Sequence, residues 1–225
     1  MCERGVCSRN SKLNQQEWLC CKRGACMIQV YHTKLNSVWY GAAVQDDQVL
    51  VTCFSVEEPD LRRLLRRLPD GIPFQVTEEP NQFLAKVLRA LEEIFNGKDR
   101  ESYGFKIATD HLSSYTRKVL NCTCLVPVGY VTAYGAIAKV VGGSARSVGR
   151  VEASNPFPLL IPCHRVVRSD LSIGGYGYGK EVKLEILRRE GRGYEEPRGL
   201  KPEGGELSLF PAEWVKQKQG ELLRG

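Results

Sequence analysis

Long hydrophobic runs are missing from these 225 residues. No apolar stretch approaches the roughly 18 residues of a membrane-spanning helix, which excludes that class. The opening Met1-Cys2-Glu3-Arg4-Gly5-Val6-Cys7 is polar and charged. It lacks the apolar segment of a secretory signal, so the expected location is inside a cell. Methionine is scarce too, with Met1 and Met27 alone. No composition bias marks disorder or a collagen-like repeat: 42% of the residues are hydrophobic and 26% charged, near the globular averages of about 45–50% and about 25%. The length suits one large domain or two small ones.

What is present is cysteine, nine residues of it. The number is odd and the chain is longer than small disulfide scaffolds, so at least one thiol is free. Net charge is +6, divided as +3 over residues 1–26, −2 over 27–109, +5 over 110–191 and 0 over 192–225. The basic excess in the third segment reads either as a face for phosphate or as scattered solvated charge.

These four segments are also the expected organisation. Residues 1–26 carry five cysteines and little apolar periodicity, as in an unfolded or metal-held arm. From Met27 the pattern is a small α+β module reaching residue 109. It has three antiparallel strands over Ile28–Tyr31, Val38–Val44 and Val49–Phe54, a helix with Leu61, Leu64, Leu65 and Leu68 inside, and a strand at Phe74–Val76. A helix over Asn81–Phe95 and a connector over 98–109 complete it. Arg62, Arg63, Arg66 and Arg67 read as a solvated face, and the module shows no chemistry of its own. Residues 110–191 read as mainly helical. Asp110 is expected to cap a helix through Tyr115 and Leu120, Thr132 to cap Tyr134–Val140, and Ser144 to cap Ala145–Val151. Two short helices about Gly142-Gly143 have the plan of a helix-turn-helix. Residues 192–225 are a C-terminal extension with no assigned role.

Leu159-Leu160-Ile161 delivers Pro162-Cys163-His164-Arg165-Val166-Val167. A thiol reacts as thiolate and needs a base or cation beside it, and here the next residue is a histidine. Adjacent side chains diverge, so His164 would reach the sulfur through a tight turn or a bridging water. A buried structural cysteine beside a chance histidine is the alternative.

The run Ile161 to Val167 resembles the active-site signature of the O6-alkylguanine-DNA alkyltransferases. Tyr115 to Leu120, Pro127-Val128-Gly129, Ala133 to Ala138, Ala145 to Gly149, Asn155-Pro156, Gly174-Gly175-Tyr176 and Lys183 through Gly191 resemble further blocks of that family, in its order. The likeness is specific over 110–191 and general over 27–109.

The resemblance implies single-turnover transfer of an alkyl group from guanine O6 in double-stranded DNA to Cys163, by a monomer without metal or cofactor. His164 would be the water-mediated base, Glu190 the carboxylate orienting it, and Tyr134 the proton donor to the base. The target atom is inaccessible in a duplex, so the nucleotide would be rotated out, with Arg146 filling the gap. Ala145, Ser147 and Gly149 would allow close approach to the minor groove, Gly135 would also bind DNA, and Thr116 and Ser169 would bind phosphate. Asn155 would tie the DNA helix to the active-site turn. Pro158 and Tyr176 would wall the alkyl group, Gly177 would belong to the pocket lid, and the carbonyls of Cys163 and Val166 would accept the guanine amino group. The lid is Gly-rich yet lacks the Lys-Ser/Thr ending of a phosphate loop. Gly177, Asn121 and Arg168 depart from the family pattern, the last adding charge. Cys20, Cys21, Cys26 and His32 lack the paired spacing of a zinc site. The arm is therefore expected to be dispensable. Three rivals remain: a damage sensor of the same fold, which would lack the acceptor cysteine, a Cys-His hydrolase with repeated turnover, and a sequence-specific helix-turn-helix regulator.

Overall fold

The computed structural model describes residues 27–99 and 103–222. The expectation that the arm is dispensable, and its rival of a metal held by Cys20, Cys21 and Cys26, lie outside the described residues.

The first module begins with the expected meander, β1 (Ile28–Leu35), β2 (Val38–Gln45) and β3 (Gln48–Ser55). Its hairpin turns, Asn36-Ser37 and Asp46-Asp47, each place both residues at positive φ. That geometry matches the twist of the strands, and Asn and Asp tolerate it best. Then come α1 (Leu61–Leu65), β4 (Phe74–Val76), α2 (Gln82–Phe95) and β5 (Lys106–Ile107). The sheet runs β4-β1-β2-β3-β5. Its two edge strands are parallel to their neighbours, so the sheet is antiparallel only at its centre. β5 lies within the expected connector, where two paired residues are too few to leave a periodic signal.

Asn81 caps α2, its side chain accepting from the Leu84 N–H at 2.7 Å. Leu84, Val87, Leu88, Leu91, Ile94 and Phe95 form the buried row and pack on Tyr40, Ala42, Val44 and Phe54. At about 1.5–3 kcal/mol per buried large apolar side chain, this row supplies on the order of 10 kcal/mol before the entropy of ordering is charged against it.

The second module holds α3 (Ser114–Cys124), β6 (Tyr130–Ala133), α4 (Tyr134–Val141), α5 (Ala145–Ala153), a 3-10 turn at Cys163–Arg165, β7 (Val166–Val167) and α6 (Lys180–Arg189). Residues beyond 191 add β8 (Arg198–Leu200), β9 (Leu207–Pro211) and α7 (Ala212–Leu222). They are built into the module: the second sheet runs β7-β6-β9-β8, with Tyr130 opposite Pro211 and Val131 opposite Phe210. The fold class is α+β as expected, with a second sheet beneath the helices.

Two of three expected helix caps move. Ser113, not Asp110, caps α3, its hydroxyl accepting from the Thr116 N–H at 3.1 Å. Asp110 is exposed and stands 3.9 Å from Arg117. Thr132 is a strand residue whose hydroxyl donates to the Ser208 carbonyl at 2.8 Å, and α4 starts after Ala133 without a side-chain cap. A sheet partner 76 residues away claimed the hydroxyl. Ser144 does cap α5, in a reciprocal arrangement with Ser147. Gly142 and Gly143, at φ 86° and 92°, make the turn between α4 and α5.

Candidate active site

Cys163 opens the 3-10 turn and is 5% exposed. Burial pushes its thiol up to about 12, with the Glu152 carboxylate adding to the rise. The Asn155 side chain and the Lys183 and Arg67 cations pull the other way and lose. At neutral pH the sulfur is therefore a thiol, and a base must take its proton as it attacks.

His164 is the candidate base. Its ring is fully buried, and Nε2 lies 3.0 Å from Glu190 Oε1. Among the described residues nothing hydrogen-bonds to the buried Nδ1. Burial keeps His164 below the usual histidine range, against the pull of Glu190, so the ring is neutral and able to accept. With Nε2–H donating to the carboxylate, the tautomer leaves the lone pair on Nδ1.

Glu190 is fully buried, whereas a carboxylate just past a helix end is ordinarily a surface group. Arg165 explains it, with Nε 3.0 Å from Oε2 and Nη2 2.7 Å from Oε1, a bidentate fork. The Arg165 Nη1 donates to the Val126 carbonyl at 2.7 Å. Burial alone would raise the Glu190 carboxyl, yet the Arg165 guanidinium facing it and the hydrogen bonds from Arg165 and His164 win and hold it at about 2.

Two buried groups escaped the sequence reading. Lys183 donates through Nζ to the carbonyls of Val166 at 2.7 Å, Ile173 at 2.7 Å and Gly175 at 3.3 Å. Burial lowers it to about 8, opposed by whatever negative charge Cys163 and Glu152 carry. Glu152 accepts from Thr123 at 2.6 Å through Oε1, and burial raises it to about 7. A signal for both was available. Lys183, Ile186, Leu187 and Glu190 sit at i, i+3, i+4 and i+7, as do Val148, Val151, Glu152 and Asn155, so each polar residue continues a buried apolar row.

The remaining candidates divide into a cluster about the thiol and an exposed set. Asn155 is buried: Nδ2 donates to the Ile161 carbonyl at 3.0 Å and Oδ1 accepts from the Phe157 N–H at 2.9 Å. It joins the end of α5 to the turn before Cys163. Pro158 and Val166 are buried, and the Val166 carbonyl already accepts from Lys183, leaving one lone pair. The Tyr176 hydroxyl is buried close to Cys163, and burial holds its phenol well above the usual range. Tyr134 starts α4, and burial raises it to about 12. Its hydroxyl lies 3.4 Å from the Gly175 carbonyl. A side chain at Gly174, at φ 69°, would stand 3.3 Å from the Tyr134 ring. Gly177 is exposed in the same loop.

Arg146, Ala145 and Ser169 are exposed, while Gly149, Gly135 and Thr116 are half-buried. A side chain at Gly149 would meet the Tyr134 ring at 3.9 Å, and one at Gly135 would meet nothing within 4 Å. His32, half-buried, sits beside Trp39 at 5.8 Å between ring centroids.

The family model for the 6-O-methylguanine DNA methyltransferase, DNA binding domain, matches residues 114–192. A methylated-DNA--protein-cysteine methyltransferase of Methanocaldococcus vulcanius is 39% identical over 163 residues, 70% of this chain and 94% of the relative. The chain belongs to this methyltransferase family. The family's name states its chemistry, transfer of a methyl group from DNA to a cysteine of the protein. A relative of the same name from Pyrobaculum aerophilum is 54% identical over 66 residues, 29% of this chain and 45% of the relative. The O6-methylguanine-DNA methyltransferase structure of Pyrococcus kodakaraensis aligns with a TM-score of 0.57 at 26% identity, covering 74% of this chain and 100% of that one. The Mycobacterium tuberculosis O6-methylguanine methyltransferase shares the fold, with a TM-score of 0.56 at 21% identity over 73% of this chain and 93% of that one. Among the described residues no helix is long and apolar enough to cross a membrane.

Proposed function

We propose that this methyltransferase repairs DNA by moving one alkyl group from guanine O6 in a duplex to Cys163, once per molecule and as a monomer. The observation that carries the reading is the buried Cys163-His164-Glu190 arrangement, in which the carboxylate holds one histidine nitrogen and leaves the other free to accept. As the sulfur attacks the alkyl carbon, its proton passes to His164 Nδ1 through a bridging water. The S–C bond forms, the C–O6 bond breaks, and the electron pair stays with guanine. Tyr134 donates its phenol proton to the leaving base, and Lys183, adjoining the thiol, steadies the developing charge. The product thioether has no leaving route, so the protein is consumed.

On the DNA side, Arg146 on α5 fills the gap left by the rotated nucleotide, and Ala145, Gly149 and Gly135 let the backbone approach the minor groove. Thr116 and Ser169 take phosphates. Pro158 and Tyr176 enclose the alkyl group, Gly177 belongs to the lid, and the carbonyls of Cys163 and Val166 take the guanine amino group.

The test is intact-protein and peptide mass spectrometry after incubation with a duplex carrying O6-methylguanine. One methyl on the Cys163 peptide, and none on a Cys163→Ala variant that still binds DNA, is the expected result. Several turnovers per chain, or a methyl on another cysteine, would falsify the reading.

A further inference from the structure

The first module was expected to show no chemistry, yet two of its elements grip the site. In β3, Thr52 donates its N–H to the Pro156 carbonyl at 2.9 Å and its hydroxyl to the Pro158 carbonyl at 2.9 Å. The turn held there contains Leu159, a bulky residue at φ 72°, a conformation that persists only when its surroundings impose it. Next on the same face of β3, the Phe54 ring stacks on Tyr178 of the lid at 4.1 Å between centroids.

The second element is α1. The four-arginine cluster is not one solvated face: Arg62 and Arg66 are exposed, while Arg63 and Arg67 are half-buried. Arg63 lies 4.3 Å from the Tyr178 ring centroid, and its Nη1 donates to the Gly177 carbonyl at 3.0 Å. Its Nε is aligned by Asp60 Oδ2 at 2.8 Å. Arg67 donates through Nη1 to the Asn155 carbonyl at 2.8 Å. Asn155 is the residue whose side chain anchors Phe157 and Ile161 on the approach to Cys163.

We infer that α1 and β3 form the rear wall of the substrate pocket, with Arg63 positioning the lid at Gly177-Tyr178 and Arg67 positioning the turn that presents Cys163. This rests on the alkyl-transfer reading. Neither arginine touches the reacting atoms. Arg63 acts through Tyr178, gripped between a guanidinium and the Phe54 ring, and so sets how tightly the lid closes over a base. Arg67 acts through Asn155 and sets where the sulfur stands, its charge on the thiol being the smaller influence. The two contributions separate kinetically, because a lid governs binding and a nucleophile's placement governs the chemical step.

The test is the rate of alkylation of the full chain by free O6-benzylguanine as its concentration is varied, read by intact mass. Arg63→Ala should raise the half-saturating concentration about tenfold, the loss of one charged hydrogen bond and its stacking, with the limiting rate nearly unchanged. Arg67→Ala should lower the limiting rate by about tenfold at a similar half-saturating concentration. Arg67→Lys should recover most of the rate, since an ammonium can still reach one carbonyl. Arg63→Lys should recover little, because it lacks the planar stacking group. Exposed Arg66→Ala is the control and should match the unsubstituted chain. Wild-type constants in both alanine variants would overturn the inference, as would equal losses in both constants that track a fall in Tm. If an alanine variant does not fold, Arg63→Met or Arg67→Met, which keeps the stem packing, is read by the same criteria. Failure of the unsubstituted chain to react with either base or duplex would sink the alkyl-transfer reading instead.

Discussion

Cys163 stays protonated until the moment it reacts, because burial outweighs every nearby cation. In the proposed mechanism that places the rate in the hands of His164, which burial keeps neutral below the ordinary histidine range. Activity should therefore persist into acid: the acid limb of the rate against free O6-benzylguanine should lie below the pH of about 6.5 at which an exposed histidine titrates. A limb at or above that pH would mean that His164 is not the buried base described. Glu152 gives a second pH-dependent effect, on stability. Its carboxyl is raised by burial to about 7, above an unfolded value of about 4.3. Between those values the folded chain binds the extra proton, so the residue's contribution to stability falls as pH rises and is fully lost above about 7. Glu152→Gln should consequently stabilise the protein at pH 8 by on the order of 2–3 kcal/mol and leave it unchanged near pH 4. Denaturant titrations at the two pH values check this, and an equal effect at both would refute it.

At the level of elements, the proposed function divides the work between α4 and α5. Tyr134 begins α4 beside the lid, while Arg146 projects from the exposed first turn of α5. Tyr134→Phe should slow transfer from free base and duplex alike, by about 10- to 100-fold, because the lost donor acts on guanine itself. Arg146→Ala should slow the duplex reaction and barely touch the free base, since its contribution lies in holding the nucleotide out of the stack. Equal losses on both substrates for Arg146→Ala would remove it from that role.

For the whole molecule, the two ends should behave oppositely on truncation. β9 pairs with β6, the strand that leads into Tyr134, and Leu207, Leu209, Ala212 and Val215 are buried. Glu213 also accepts from the N–H groups of Arg192 and Gly193 at 3.0 and 2.9 Å. A chain stopped at Gly191 should be insoluble or lose alkyl transfer, having exposed that core. A chain begun at Met27, where β-type patterning starts, should fold and react with free O6-benzylguanine at an unchanged rate. Expression, thermal melting and the benzylguanine assay on the two truncations decide both expectations.

Local chemistry was legible in the sequence wherever one short segment contained it. The β1–β3 meander followed from β-rich runs separated by two-residue turns, α2 from its 3.6-residue apolar spacing, and the Ser144 cap from a serine before a helix. The run through Pro162-Cys163-His164-Arg165 sufficed to single out a thiol with a histidine beside it. The environment of those residues was decided by tertiary structure alone. Burial lifts the Cys163 thiol and keeps His164 neutral, and no property of the heptapeptide predicts it. Glu190 became a buried partner because Arg165 and His164 converge on it from 25 and 26 residues away. Thr132 became a sheet residue because a strand near the C-terminus pairs beside it. Arg63 and Arg67 turned inward from a cluster that composition alone assigns to solvent, because the lid and Asn155 offer carbonyls there. Spacing along a chain reports which residues share a face, whereas the partner that face meets, and so the charge a buried group can hold, exists only after distant segments have packed.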